Sequence, residues 1–241
     1  MPRTAAVVVI GNEILSGKVR DDNSPYLAAE LRALGVALRL ILVVPDEEEE
    51  IARVLRECSR RFDYVFTTGG VGPTHDDVTF RAVARAFGVG LRESPEIKRS
   101  ILRRCPQPSE EVLSMARVPQ GAEVLELPGV SFPPVRMGNV YIFPGIPQYL
   151  REKFQALRER FRERPFFTRR VYVAQEECHI ATELRRLDEE FPQVQVGSYP
   201  QVDAPGHKVV VVLEGQDEQV LEEALQRLLE LLPGDIVVRT E

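Results

Sequence analysis

Residues 67–77 read Thr67-Thr68-Gly69-Gly70-Val71-Gly72-Pro73-Thr74-His75-Asp76-Asp77. Glycines without side chains let backbone N–H groups approach an anion closely. A helix predicted to begin near Asp77 adds a favourable field at its N-terminus. The hydroxyls of Thr67, Thr68 and Thr74 are able to donate to phosphate oxygens. Adjacent carboxylates repel a phosphate unless a cation lies between them, so the Asp76-Asp77 pair points to Mg²⁺ or a similar hard metal. The same residue types also have plain structural uses: Gly69, Gly70 and Gly72 make a tight turn, and Asp76 or Asp77 caps the helix. His75 suits either a phosphate contact or a structural role.

Three other short segments carry comparable residues: Gly11-Asn12-Glu13, Pro45-Asp46-Glu47 and Pro144-Gly145-Ile146-Pro147. Each follows an apolar run of strand length. The runs over 5–11, 36–44, 63–68 and 140–143 alternate with amphipathic helices. Ser24 is expected to cap the first, with Pro25 at its first position, Leu27, Leu31 and Leu34 on one face and Gly35 at its end. The next opens on Glu47-Glu48-Glu49-Glu50, which suits the positive end of the helix dipole, and buries Ile51, Val54, Leu55 and Cys58. Phe80, Val83, Ala84 and Phe87 line the helix closed by Gly88. Further helices are expected near 94–104, near 109–117 and from 147 to about 161. This alternation predicts an α/β fold with a doubly wound, mostly parallel sheet. Ligands of such sheets bind beyond the carboxyl ends of the strands. The four segments are therefore expected to meet at one crevice.

Arg164-Pro165 marks an expected boundary between domains 1–165 and 166–241. The second reads βαββαβ: strands over 168–174, 194–199, 208–213 and 236–238, with helices over 180–191 and 219–232. That order predicts a smaller ferredoxin-like α+β domain. Residues 166–241 hold 7 Lys and Arg against 15 Asp and Glu, a balance of −8 within a net charge of −6, so the acidity resides there. An acidic chain of this kind makes a poor nucleic-acid partner. No apolar run is long enough to cross a bilayer, and no cleavage site follows the first strand, so no membrane span or signal peptide is expected. Cys58, Cys105 and Cys178 form neither a disulfide framework nor a CxxC site, which suits a reducing cytoplasm. Gly11 to Gly17-Lys18 fails as a P-loop: five residues separate the glycines instead of four, and Val19 stands where Ser or Thr is needed. No GxGxxG follows the first strand.

Taken together, residues 11–17, Asp21, Asn23, residues 44–47, 68–79 and 139–147 resemble the molybdopterin-binding domain family of the CinA N-terminal type, with a MoaB/Mog-like fold. Residues 171–181 and 197–200 extend the likeness to the N-terminal part of eukaryotic FAD synthase. The resemblance implies metal-dependent hydrolysis of a dinucleotide pyrophosphate, FAD or ADP-ribose, to AMP and a second monophosphate. It implies Asp46 and Asp77 as catalytic residues and Asp46, Asp76 and Asp77 as metal ligands. Gly11, Glu13, Asn23, Thr68, Gly69, Gly70, Gly72, Pro73, Thr74, His75, Gly145 and Pro147 would contact phosphate or nucleotide. The cofactor would be Mg²⁺, Mn²⁺ or Co²⁺, with a monovalent cation as a further candidate. The partners implied are a small nucleotide or pterin and further copies of the chain, with no nucleic acid and no membrane. The alternative is a molybdopterin-binding protein without hydrolase activity. Two positions depart from the family pattern: Asn12 stands where Asp is common, and Asp22 where Thr is common. Neither the amide-hydrolase domain of CinA nor the adenylyltransferase domain of FAD synthase is matched, so deamidation and FAD synthesis are not expected.

Overall fold

The computed structural model describes residues 2–202 and 205–241. The chain divides into two compact units, Pro2–Glu163 and Arg164–Glu241. In the first unit the elements run β1 (Thr4–Ile10), α1 (Asn12–Leu15), α2 (Asn23–Ala33), β2 (Ala37–Val44), α3 (Glu48–Arg61), β3 (Tyr64–Thr68) and α4 (Thr79–Phe87). They continue with β4 (Leu91–Glu93), α5 (Pro95–Arg104), α6 (Glu110–Ser114), β5 (Arg117–Pro119), β6 (Glu123–Val124), β7 (Val135–Met137), β8 (Val140–Phe143), α7 (Pro147–Leu157) and a 3₁₀ turn, Arg158–Phe161.

The main sheet has the order β2-β1-β3-β8-β7-β6. Its first four strands are parallel, and the short β7 and β6 continue it antiparallel. Successive side chains of a strand point to opposite faces, and β1 feeds two cores accordingly. Ala6, Val8 and Ile10 join Val65, Ile142 and the α3 stripe on one face. Ala5, Val7 and Val9 join Phe66, Phe143, Leu27, Leu31 and Phe154 on the other. A sheet covered on both faces needs strands apolar on both, which is why β1 is an unbroken run of small and branched residues. The doubly wound α/β class read from the sequence is the class observed.

Two helix starts differ from expectation. Ser24 lies inside α2, buried, and its hydroxyl finds no hydrogen-bond partner. Asp21 does the capping instead: its Oδ1 accepts from the N–H groups of Asn23 and Ser24, at 2.9 and 3.1 Å. A carboxylate two or three residues before the free amides reaches them without distorting the chain. Likewise neither Asp76 nor Asp77 caps α4, which begins two residues after Asp77 with Val78 at the cap position.

The second unit comprises β9 (Phe167–Val173), a 3₁₀ turn (Glu177–His179), α8 (Ala181–Glu190), β10 (Gln195–Pro200), β11 (Val209–Gly215), α9 (Glu218–Leu231) and β12 (Val237–Thr240). Its sheet, ordered β10-β11-β9-β12, is antiparallel throughout. With two helices between the strands this is the smaller βαββαβ arrangement expected. Alternating Val209, Val211 and Leu213 of β11 pack on Leu221, Ala224 and Leu228 of α9. Arg227 and Arg186 close on Glu190 and hold its carboxyl down to about 2.

Candidate functional site

β3 ends at Thr68, and the chain turns through Gly69 and Gly70 with φ of 107° and 64°. A Cβ on Gly69 would collide with the carbonyl oxygen of Ile10, and one on Gly70 with the Thr79 hydroxyl. Only glycine meets both the dihedral and the steric demand. Thr79, wholly buried, donates its hydroxyl to the Gly69 carbonyl at 2.9 Å and its N–H to the Gly70 carbonyl at 3.0 Å. The start of α4 is thus bonded to the turn, and that helix N–H is spent on protein. Sequence reasoning gave Thr79 no role; its place right after the Asp76-Asp77-Val78 run was the available signal.

Asn23 ties three segments together. Its Nδ2 donates to Thr68 Oγ1 at 2.8 Å and to the Gly145 carbonyl at 2.7 Å. Thr68 in turn donates to the Pro144 carbonyl at 3.3 Å. Asn23, Thr67 and Thr68 are all buried. Thr68 and Asn23 therefore brace the turn from behind. A Cβ on Gly145 would stand 3.4 Å from Gly69 Cα, so the two glycine turns lie against each other.

Beyond Gly70 the loop closes on itself. Asp77 Oδ2 accepts from Thr74 N at 2.8 Å and Thr74 Oγ1 at 2.5 Å. The same oxygen would lie 2.6 Å from a Cβ on Gly72, so this carboxylate rests on the Gly72 backbone. Pro73, Thr74, His75 and Asp76 form the exposed tip, whereas Asp77 is half-buried. Across from it, the Glu13 carboxylate folds back over Gly11, whose own N–H donates to the Val44 carbonyl at 3.1 Å. Asp46 Oδ2 accepts from Asn12 N at 2.7 Å. Asp46 thereby holds the short α1, which carries Glu13.

These segments border a cavity of about 570 Å³, within the range of small-molecule sites. Of the residues expected to bind ligand or metal, Glu13, Gly72, Pro73, Asp77, Gly145 and Pro147 line it. Gly11, Asn23, Asp46, Thr68, Gly69, Gly70, Thr74, His75 and Asp76 stand behind or beside that lining. Much of the rest of the lining is apolar: Val71, Phe80, Met115, Phe132, Ile142 and Ile146. The cavity also takes in Arg104, Tyr149 and Lys153, none of which the motifs indicated. Lys153 lies on α7 at i+3 from Leu150 and one residue before Phe154, on the face that buries both. A lysine on an apolar stripe was the signal available.

Lys153 is 4% exposed. Burial, with Arg104 nearby, holds its ammonium below the ordinary lysine range, against the opposing pull of Glu152. Among the described residues no carboxylate pairs with it. Its Nζ instead faces the rings of Phe132 and Tyr149 at 5.8 and 5.9 Å from their centroids, the outer limit of a useful cation–π contact.

Among the described residues the carboxylates of Asp46, Asp76 and Asp77 do not converge as one ligand set. Among the described residues, three potential ligands come together only at Glu176, Cys178 and His179 of the second unit, all exposed. The donors at the cavity suit a hard cation that takes one or two carboxylates and fills its shell with phosphate oxygens, which is the habit of Mg²⁺. Glu13 and Asp77 are the carboxylates that line it.

Comparison with known proteins assigns the chain to a family. Residues 6–163 match the family described as "Probable molybdopterin binding domain". The chain belongs to the molybdopterin-binding domain family. Residues 165–241 match "FAD synthase, middle domain". A "Probable FAD synthase" of Caenorhabditis briggsae is 34% identical over 98% of this chain and 50% of its own length. The chain thus spans about half the length of the named curated relatives it matches, the Caenorhabditis elegans one included at 51%. An Archaeoglobus fulgidus protein whose name states no function is 34% identical over 94% of this chain and 96% of its own. Among solved structures, the protein CinA from Thermoplasma acidophilum, described as of unknown function, superposes with a TM-score of 0.62. It is 29% identical and covers 66% of this chain and 98% of that one. The resemblance read from the motifs is borne out. No helix among the described residues is long and apolar enough to cross a membrane.

Proposed function

We propose that the chain hydrolyses the pyrophosphate of a dinucleotide, FAD or ADP-ribose, to AMP and a second monophosphate. One observation carries the reading: the Gly72–Asp77 loop, Glu13 and the Gly145 turn, from the ends of three parallel strands, border one cavity. The likeness to proteins named FAD synthase favours a nucleotide substrate. In this reading the backbone around Gly72 receives the diphosphate. Asp77, fixed by Thr74, orients the attacking water, and Asp46 keeps α1 and Glu13 in place. A divalent cation held by Glu13 and Asp77 would offset charge on the phosphoryl oxygens. One water is consumed, one P–O bond of the anhydride breaks, and each product leaves as a monophosphate.

AMP release from FAD and from ADP-ribose, assayed with Mg²⁺, Mn²⁺ or Co²⁺, tests this. Asp77→Asn keeps the shape of the loop and is expected to lower turnover at least about 100-fold. Absence of AMP from both substrates with every metal overturns the reading. The family match favours one rival, pterin binding without hydrolysis. It predicts tight pterin retention and no AMP in the same assay.

A further inference from the structure

One cavity takes in the carboxylates of Glu13 and Asp77, a largely apolar lining, and the side chains of Arg104, Tyr149 and Lys153. Neither cation is paired: among the described residues no carboxylate bonds Arg104 or Lys153, and Glu152 acts on Lys153 without pairing with it. Arg104 is exposed and touches Ser131 Oγ, at 3.4 Å, and the face of Tyr149. Lys153 is buried. Taking an ammonium out of water without a partner is costly, and two distant rings offset little of that. Such a group persists where a ligand supplies the missing acceptor.

The surroundings say what sort of acceptor. Among the described residues the neighbours of Lys153 and Arg104 are the rings of Phe132 and Tyr149 and the Ser131 hydroxyl, and neither cation hydrogen-bonds a glycine backbone or a threonine. Phe132, Phe80, Met115 and Ile146 offer flat or yielding apolar contact. We infer that Lys153 is the specificity-determining residue of a ring-binding subsite. Its Nζ donates to the carbonyl-bearing edge of a planar heteroaromatic ring seated on those apolar residues, beyond the pyrophosphate. The subsite selects a flavin-like half of a dinucleotide over a bare ribose. A pterin offers the same edge chemistry. The inference deepens the proposed function and rests on it for the substrate's second half.

Flavin fluorescence gives a test that needs no turnover. The full chain is titrated against riboflavin, which has the ring and no phosphate, and against FMN, with a pterin in parallel. Wild type is expected to bind one of these rings, and Lys153→Met to weaken that binding at least about tenfold, the worth of a hydrogen bond from a charged donor. Lys153→Gln, which keeps a donor, restores part of it. The melting midpoint of Lys153→Met is not lowered, since the apolar chain replaces an unpaired buried charge; a lysine with only a structural role shows the reverse. Where hydrolysis is measurable, Lys153→Met lowers kcat/KM for FAD more than for ADP-ribose. Three results overturn the inference: no ring binding by wild type, equal binding by Lys153→Met, or loss of FMN binding with riboflavin binding intact. The last would make Lys153 a phosphate reader. Ring binding that depends on Lys153 without any AMP release sinks the hydrolase and leaves the subsite standing. AMP release from FAD with no dependence on Lys153 does the opposite.

Discussion

At the residue scale the first unit shows two kinds of buried polar group, and they predict opposite responses to mutation. Asn23 has both amide hydrogens engaged, linking the ends of β3 and β8. Removing it in Asn23→Ala strands the Gly145 carbonyl and takes from the Thr68 hydroxyl its donor, leaving only the long bond to Pro144, and is expected to cost about 2 kcal/mol in urea denaturation. Lys153 is the converse case. Its folded pKa lies below the ordinary lysine value of 10.5, so the unfolded chain holds that proton more tightly. Its burial therefore opposes folding wherever the unfolded lysine is charged. Stability rises with pH through the interval between the folded pKa and the ordinary lysine value. Lys153→Met removes that slope and is expected to gain about 1 kcal/mol near neutral pH, as apolar replacements of buried charges often do. Denaturant titrations of both proteins across neutral to alkaline pH measure slope and offset together. Parallel curves would contradict the account.

Among elements, the glycine turn after β3 is where sequence and structure constrain each other most tightly. Gly69 and Gly88 both have positive φ, yet a Cβ at Gly88 meets nothing within 4 Å while one at Gly69 meets the Ile10 backbone. Gly88→Ala is expected to cost about 1 kcal/mol, the left-handed penalty alone. Gly69→Ala adds a backbone collision and should exceed about 2 kcal/mol. Equal losses of unfolding free energy would mean the β1–β3 contact yields. The strand runs and helix stripes were legible because each element long enough to show its period presents one face to a core. β4 to β7, at two or three residues each, were too short to show a period. The α2 cap was misassigned because Ser24 and Asp21 both have capping chemistry, and only the path of the backbone decides between them. The motif points to Asp46 as a residue acting on ligand, and the structure adds the bond its Oδ2 accepts from the Asn12 amide. A motif states which residue is needed without stating what it touches.

The whole molecule holds two units, each with its own buried core. Residues 1–163 are therefore expected to fold as a separate fragment and to keep the cavity, all of whose lining lies within it. Guanidinium unfolding of the full chain should then depart from a single two-state transition. A fragment that stays unfolded, beside a full chain that melts in one step, would show that the first unit needs the second. Sequence alone determined the order of the longer elements, the α/β and βαββαβ classes and the family. Those follow from local periodicity and from contiguous motifs, which a chain carries at every point along itself. Tertiary structure alone decided which carboxylates line the cavity and which brace it, and that Lys153 is buried with no carboxylate bonded to it among the described residues. Those depend on side chains brought together from α1, α5, α7 and the loops after β3 and β6, and the free energy of a charge is set by whatever surrounds it in space.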